Sequence, residues 1–157
     1  MSARRLATAW LTASLALALP ETLPADEAGN PYNDPPPLQA THGIADCAAP
    51  KPRTLTPEQA RAEAHYRAER GTACWLEGKC EPGGDYQRDP EINRRASAAI
   101  AADARFANTS LWVETLRMFV TIKGCLANPR QSRELEALVK SVEGVKLVWQ
   151  EAIVKPN

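Results

Sequence analysis

Apolar residues in the second half of the chain follow a helical spacing first and an alternating spacing afterwards. Asp89 can cap a helix that starts at Pro90, and the apolar positions that follow recur on one helical face: Ile92, Ala96, Ala99 and Ile100. This spacing predicts a helix that begins at Asp89 and fades between Asp103 and Arg105. Its apolar face would pack against a neighbouring element.

From Ser110 onward, apolar residues occupy every second position, which is typical of a strand with one buried face. The first alternating set contains Leu111 and Val113. After a turn near Leu116 and Arg117, the second set comprises Met118, Val120 and Ile122. The pattern predicts a β-hairpin that ends at Gly124, although its turn lacks the Gly or Asn that a tight hairpin prefers.

A second amphipathic helix is predicted after Asn128, a capping residue, with Pro129 at the first helical position. Its apolar stripe consists of Leu135, Leu138, Val139 and Val142. Gly144 would end this helix, and the β-rich run 145–154 would form a third strand. The order α-β-β-α-β over residues 89–157 predicts an α+β domain in two layers, with two helices on a three-stranded sheet.

The residues before this domain are predicted to hold one extra helix and a linker. Thr56, Pro57 and Gln59 have capping-box spacing, so a helix should run from this point to about Arg70 and stop at Gly71. This helix and a short cysteine loop make up residues 57–88. Residues 26–56 are rich in proline and poor in large apolar residues, which favours an extended, largely disordered linker.

The first 25 residues have the organisation of a signal peptide. Arg4 and Arg5 precede an apolar run of about 14 residues, which is shorter than the roughly 20 residues that span a bilayer as a helix. Small residues follow, and cleavage after Ala18 or after Ala25 fits, with Ala25 preferred. The chain is therefore expected to be exported and to lose this leader; the alternative is a retained signal anchor.

Charge and cysteine content limit the classes of function. The chain has 19 basic and 19 acidic side chains, so it offers no broad positive field for nucleic acid. An even number of cysteines in an exported protein favours disulfides over metal ligation. The slightly preferred pairing joins Cys74 to Cys80 and Cys47 to Cys125. Two other pairings stay open, in which Cys125 bonds to Cys74 or to Cys80 and Cys47 bonds to the remaining cysteine.

The C-terminal segment resembles the BON domain, named for bacterial osmotically inducible and nodulation proteins. The resemblance covers about residues 89–154 and rests on the order of these motifs: Val120-Thr121-Ile122-Lys123-Gly124, Asn128-Pro129, Leu135 to Val139, Val142-Glu143-Gly144-Val145, and Val148. Relatives often carry Asp-Gly in the hairpin turn, where this chain has Arg117-Met118, and Asn where Gln150 stands. Together with the leader, the resemblance implies a non-enzymatic protein of the bacterial periplasm that associates with phospholipid and maintains the cell envelope.

The alternation also predicts an apolar outer sheet face. If one set of strand residues faces the helices, then the other side of the sheet carries Trp112, Phe119, Cys125, Trp149 and Ile153. We expect the segment 57–88 to fold over this face, pinned by a disulfide from Cys125 to the N-terminal segment. The rival interpretation leaves the face open for a lipid or protein partner, with these contact residues: Arg94, Arg95, Arg105, Trp112 and Trp149.

No catalytic motif accompanies these features. The spacing of Gly71 and Gly78-Lys79 does not fit a phosphate loop, and no cofactor or metal is expected. The favoured function is attachment to phospholipid or to an envelope protein. The alternatives are a protein–protein adaptor in an envelope or secretion assembly and, more weakly, a thiol oxidoreductase that uses Cys74 and Cys80.

Overall fold

The computed structural model describes residues 29–82 and 84–155, so the predicted signal peptide lies outside the described residues. Short 3₁₀ segments at Gly84–Arg88 and Ala104–Phe106 flank the second helix. The strands and helices are β1 (Leu38–His42), α1 (Pro57–Leu76), α2 (Asp89–Ala102), β2 (Ser110–Leu116), β3 (Phe119–Leu126), α3 (Arg130–Lys140), β4 (Leu147–Gln150) and β5 (Ile153–Val154). The chain therefore has the α+β class that the sequence predicts.

The strands form one mixed sheet with the order β1-β2-β3-β4, and β5 continues beside β3 beyond β4. Antiparallel pairing joins β1 to β2 and β2 to β3, whereas β4 and β5 run parallel to β3. The parallel pairing requires a crossover, which α3 supplies. Both α2 and α3 contribute buried side chains to a single apolar core with the sheet.

The core confirms the alternation of apolar positions in the hairpin. Leu111, Val113, Val120 and Ile122 are fully buried in the same cluster as the helical residues Ile92, Ile100, Leu135 and Val139. Burial of such side chains contributes about 1.5–3 kcal/mol each, so this cluster is the main source of stability for the sheet and its two helices.

Strand β1 corrects the prediction of a disordered linker. Leu38 lies opposite Val113 and His42 opposite Ser110, with a register shift between Gln39 and Thr41. The side chains of Asn93 and Ser97 on α2 also donate to backbone carbonyls at Pro36 and Leu38. The expectation was wrong because proline content argued against strand structure, whereas the free edge of β2 supplies backbone partners to a chain that is already extended.

The last strand is also not the single element that the sequence predicts. It is divided into β4 and β5. Backbone hydrogen bonds from the Glu151 amide to the Ile122 carbonyl and from the Lys155 amide to the Leu126 carbonyl keep this segment beside β3. With β1, the described residues contain five strands where three were expected. Helix α3 ends at Lys140, before Gly144, whose φ of 91° favours glycine and where an added Cβ would lie 3.0 Å from the Ile92 side chain.

Helix α1 extends five residues beyond the predicted stop at Gly71. At its start, the Thr56 side chain accepts from the Gln59 amide and the Gln59 side chain accepts from the Thr56 amide. Gly71 is buried, and a Cβ on Gly84 would lie 2.2 Å from its Cα. Gly71 therefore permits close packing of α1 on the 3₁₀ segment at Gly84–Arg88, and it does not end the helix.

Both disulfides of the preferred pairing are present, which confirms Cys47–Cys125 and Cys74–Cys80. The predicted cover of the outer sheet face needs a correction, because residues 29–56 provide much of it. Cys47 is bonded to Cys125 on β3. A small cavity between the N-terminal residues and the hairpin is lined by Asp34, Pro35, Arg53, Glu114, Thr115, Leu116 and Thr121. Helix α1 contacts the turn end of the hairpin, where the Arg117 guanidinium lies over the Tyr66 ring.

Charged and aromatic side chains connect α1 to the residues around it. The Arg67 guanidinium lies 4.1 Å from the ring centroid of Tyr32 and 4.3 Å from that of Tyr86. It also pairs with Asp34 at 2.5 Å and with Glu63 at 2.7 Å. Arg53 contacts both carboxylates as well. This group of side chains, which we call the Arg67 cluster, fixes α1 against residues 29–56 and the 3₁₀ segment.

Candidate functional site

The three arginines that the sequence nominates for partner binding lie on or after α2, away from Trp149. Arg94 is exposed on α2. Arg95 pairs with Glu91 at 2.5 Å and with Glu143 at 3.2 Å. Arg105 pairs with Asp103 at 2.5 Å. Helix α2 packs on the inner face of the sheet, so the structure does not bring these arginines together with an outer-face tryptophan.

The two tryptophans share the outer face but differ in exposure. The register places Trp112 opposite Lys123 and Trp149 beside Thr121, so both project from the same side. Trp112 is only 8% exposed, and its ring lies over Gly124, where an added Cβ would come within 3.0 Å. Trp112 is therefore removed from the candidate surface. The sequence could not show this burial because the neighbouring strand β1 was not expected.

Trp149 is 54% exposed on β4, the strand at one edge of the sheet. Ile153 and Val154 on β5 are also exposed. We call these three residues the edge patch. Within the described residues, β4 has a single strand neighbour, β3, so its other side presents unpaired backbone groups. An exposed aromatic residue on an open strand edge can meet either a membrane interface or the strand of another protein.

A second exposed apolar surface lies at the end of α1. The Cys74–Cys80 disulfide closes a short loop in which Trp75 is 49% and Leu76 is 74% exposed. Gly78 has a φ of 67°, and backbone bonds from Gly78 to Trp75 and from Lys79 to Cys74 tighten the loop. We call this loop the cysteine tip. The sequence nominated its cysteines but not its two apolar side chains.

A buried carboxylate organises the hairpin turn, and sequence reasoning assigned it a different role. Asp89 was expected to cap α2, but Arg88 occupies the cap position. The two carboxylate oxygens of Asp89 instead accept the backbone amides of Arg117 and Met118, each at 2.6 Å. Both turn residues have positive φ, 56° and 62°, as a tight hairpin turn requires. The absence of Gly or Asn from this turn was the sequence feature that could have indicated support from a distant side chain.

The environment of Asp89 shifts its acidity. The residue is 1% exposed, and burial raises the pKa of its carboxyl from an ordinary value of 3.8 to about 6. The two amide donors and the charge of Arg67 act in the opposite direction, because they favour the ionised form. Burial outweighs these opposing effects, so the pKa of this carboxyl stays at about 6.

Metal ligation has weak support in the described part of the chain. The group of possible ligands there consists of Cys74, Cys80 and Asp85, whose ligand atoms lie within 4.8 Å of one another. Both sulfurs are joined in a disulfide, so they are not available as thiolates. None of the helices in residues 29–82 and 84–155 has the length and apolar content to cross a bilayer.

Comparison with known families identifies the C-terminal segment. The model of the BON domain matches residues 88–156, somewhat under half of the chain. The match spans α2, the hairpin, α3, β4 and β5, and it excludes β1 and α1. A search of curated proteins found no match.

Proposed function

Residues 88–156 form a BON domain, and from this we propose that the protein acts without catalysis at the cell envelope, by attachment to a phospholipid membrane surface. BON domains are associated with envelope and phospholipid-binding proteins. The two disulfides agree with an oxidising compartment such as the periplasm. The proposal includes export through the predicted signal peptide and a role in envelope maintenance.

The edge patch is the observation that carries this proposal. Tryptophan prefers the boundary between apolar and wet regions of a membrane, because its ring is apolar and its N–H group remains hydrated. Ile153 aligns with Cys125 and adds a second exposed apolar side chain to this face, whereas Val154 aligns with Leu126 and projects from the other side of the sheet. Lys123 is paired with Glu114 on the same face, so charge there is largely balanced. Attachment should therefore depend on apolar contact more than on attraction to anionic lipid.

Flotation with lipid vesicles tests this proposal. We expect the oxidised protein to float with vesicles of neutral lipid as well as with vesicles that contain anionic lipid, and we expect Trp149→Gln to reduce the bound fraction several-fold in both. Trp75→Gln is the matched control, since Trp75 has nearly the same exposure on the cysteine tip. Wild-type protein that stays unbound with every vesicle composition would contradict lipid attachment.

The open edge of β4 favours one second candidate, a protein adaptor in an envelope or secretion assembly. An extended segment of a partner could add to this edge by backbone hydrogen bonds. A photo-crosslinking amino acid at position 149 distinguishes the candidates in intact cells. Protein adducts at position 149 but not at position 75 would support the adaptor, whereas lipid adducts would support membrane attachment.

A further inference from the structure

The hairpin turn places an arginine in a strained backbone conformation. Arg117 and Met118 both have the left-handed φ that residues with a Cβ adopt at an energetic cost. Met118 is buried in the core cluster, which accounts for its presence. Arg117 is not part of that cluster, so its place in the turn rests on other contacts.

The Arg117 side chain is held between two aromatic rings. Its guanidinium carbon lies 5.2 Å from the ring centroid of Tyr66 on α1 and 4.5 Å from that of Phe119 on β3. In residues 29–82 and 84–155 it forms no ion pair, whereas Arg53 and Arg67 nearby are both paired with carboxylates. The guanidinium is therefore oriented by stacking, with its N–H donors uncommitted.

An apolar groove lies directly beside this arginine, between α1 and the end of the hairpin. Its volume is about 480 Å³, within the range of small-molecule sites. Leu116 and Tyr66, the neighbours of Arg117 in sequence and in space, both line it. The complete lining is Arg53, Leu55, Gln59, Ala62, Glu63, Tyr66, Tyr86 and Leu116.

We propose that this groove binds an anionic amphiphile, a molecule with one aliphatic or aromatic group and one carboxylate or phosphate. The apolar group would occupy the groove, and the anionic group would accept hydrogen bonds from Arg117 at its mouth. Charge favours this occupant, because Arg53 and Arg67 balance Asp34 and Glu63 while Arg117 remains unpaired in the described residues. The nearby Asp89 carboxylate accepts the backbone amide of Arg117 and forms no ion pair with its guanidinium in the described residues.

This site is separate from the edge patch, so it stands or falls independently of the proposed function. Calorimetric titration of the oxidised full chain with sodium decanoate below its micellar concentration is the test, with decanol as the uncharged probe. We expect decanoate to bind at least tenfold more tightly than decanol. Arg117→Asn should weaken decanoate binding at least tenfold and leave decanol binding unchanged.

Arg117→Asn is suitable because asparagine tolerates the left-handed conformation and retains the backbone amide that donates to Asp89. Its denaturation midpoint should equal or exceed that of the wild type. Arg94→Asn, on an exposed arginine of α2, is the matched control. Ala62→Phe should fill the groove and reduce the binding of both probes.

Three results would overturn the proposal: no decanoate binding by the wild type, equal binding by Arg117→Asn, or an equal loss in Arg94→Asn. Vesicles that contain phosphatidylglycerol then identify the natural source of the ligand. A reduced bound fraction of Arg117→Asn supports a lipid head group in a bilayer. An unchanged bound fraction together with lost decanoate binding supports a free amphiphile.

Discussion

The BON domain and the residues before it are stabilised by different interactions. From α2 onward, two helices bury apolar side chains against the sheet. In residues 29–82, α1 exposes most of its alanines and is fixed by the Arg67 cluster and by close packing of two glycines. An apolar core tolerates exchanges of apolar residues that conserve volume, whereas an ion-pair cluster depends on the geometry of a few specific atoms.

This difference indicates two levels of stability in one chain. The core of the BON domain should open only on global unfolding, because its strands and helices share one apolar cluster. Helix α1 should open locally, since it contributes few buried apolar residues. The Cys47–Cys125 disulfide joins the two regions, so removal of the bond is the most direct way to separate their stabilities.

Replacement of Cys47 and Cys125 by alanine should have the largest effect. The bond closes a sequence separation of 78 residues, and loop-closure entropy predicts a loss of roughly 4 kcal/mol in the free energy of unfolding. Urea denaturation of the double variant provides the measurement. The control is the Cys74→Ala/Cys80→Ala variant, whose separation of 6 predicts only roughly 2 kcal/mol. Equal losses would argue against an entropic role for the long crosslink.

The Asp89 carboxyl should make stability depend on pH within the BON domain. Its folded pKa of about 6 exceeds the ordinary value of 3.8, so between these values the native state holds a proton that the unfolded chain has lost. Stability from this group is therefore greatest below about pH 4 and falls as the pH rises through 6, by at most about 3 kcal/mol.

Denaturation of the wild type and of Asp89→Asn across pH 4–7 measures this dependence, since the variant lacks the titrating group. The difference between their unfolding free energies should change with pH, and the surface variant Glu136→Gln should follow the wild type. Parallel curves for the wild type and Asp89→Asn would show that burial does not raise the pKa of this carboxyl.

Arg67→Lys should have the smallest and most local effect. Lysine keeps the charge but loses the flat stacking surface between Tyr32 and Tyr86 and the paired bonds to Asp34 and Glu63. The opening free energy of α1 should fall by about 1–2 kcal/mol. Hydrogen exchange provides the measurement, with Arg61→Lys on the exposed side of α1 as the control. Faster exchange in β3 to the same extent would mean that the two regions unfold together.

The sequence predicted much of the BON domain because its apolar positions have clear periods. Leu111 and Val113 alternate on a strand, and Leu135 and Val139 recur on a helix, so each local pattern indicates the buried face. Trp149 was assigned to the outer face by the same argument and is exposed. Trp112 has the same periodicity but is buried, because a distant segment supplies the neighbouring strand.

The sequence by itself determined the α+β class and the buried face of the C-terminal helices and strands, since the period of apolar residues indicates which side of each element avoids water. Only the tertiary structure decided that a proline-rich segment adds a strand, that Asp89 holds the hairpin turn, and that Arg117 lies between Tyr66 and Phe119 beside a groove. These features join residues far apart in the chain. A local pattern records the polarity of a face, but it does not record which remote segment meets that face.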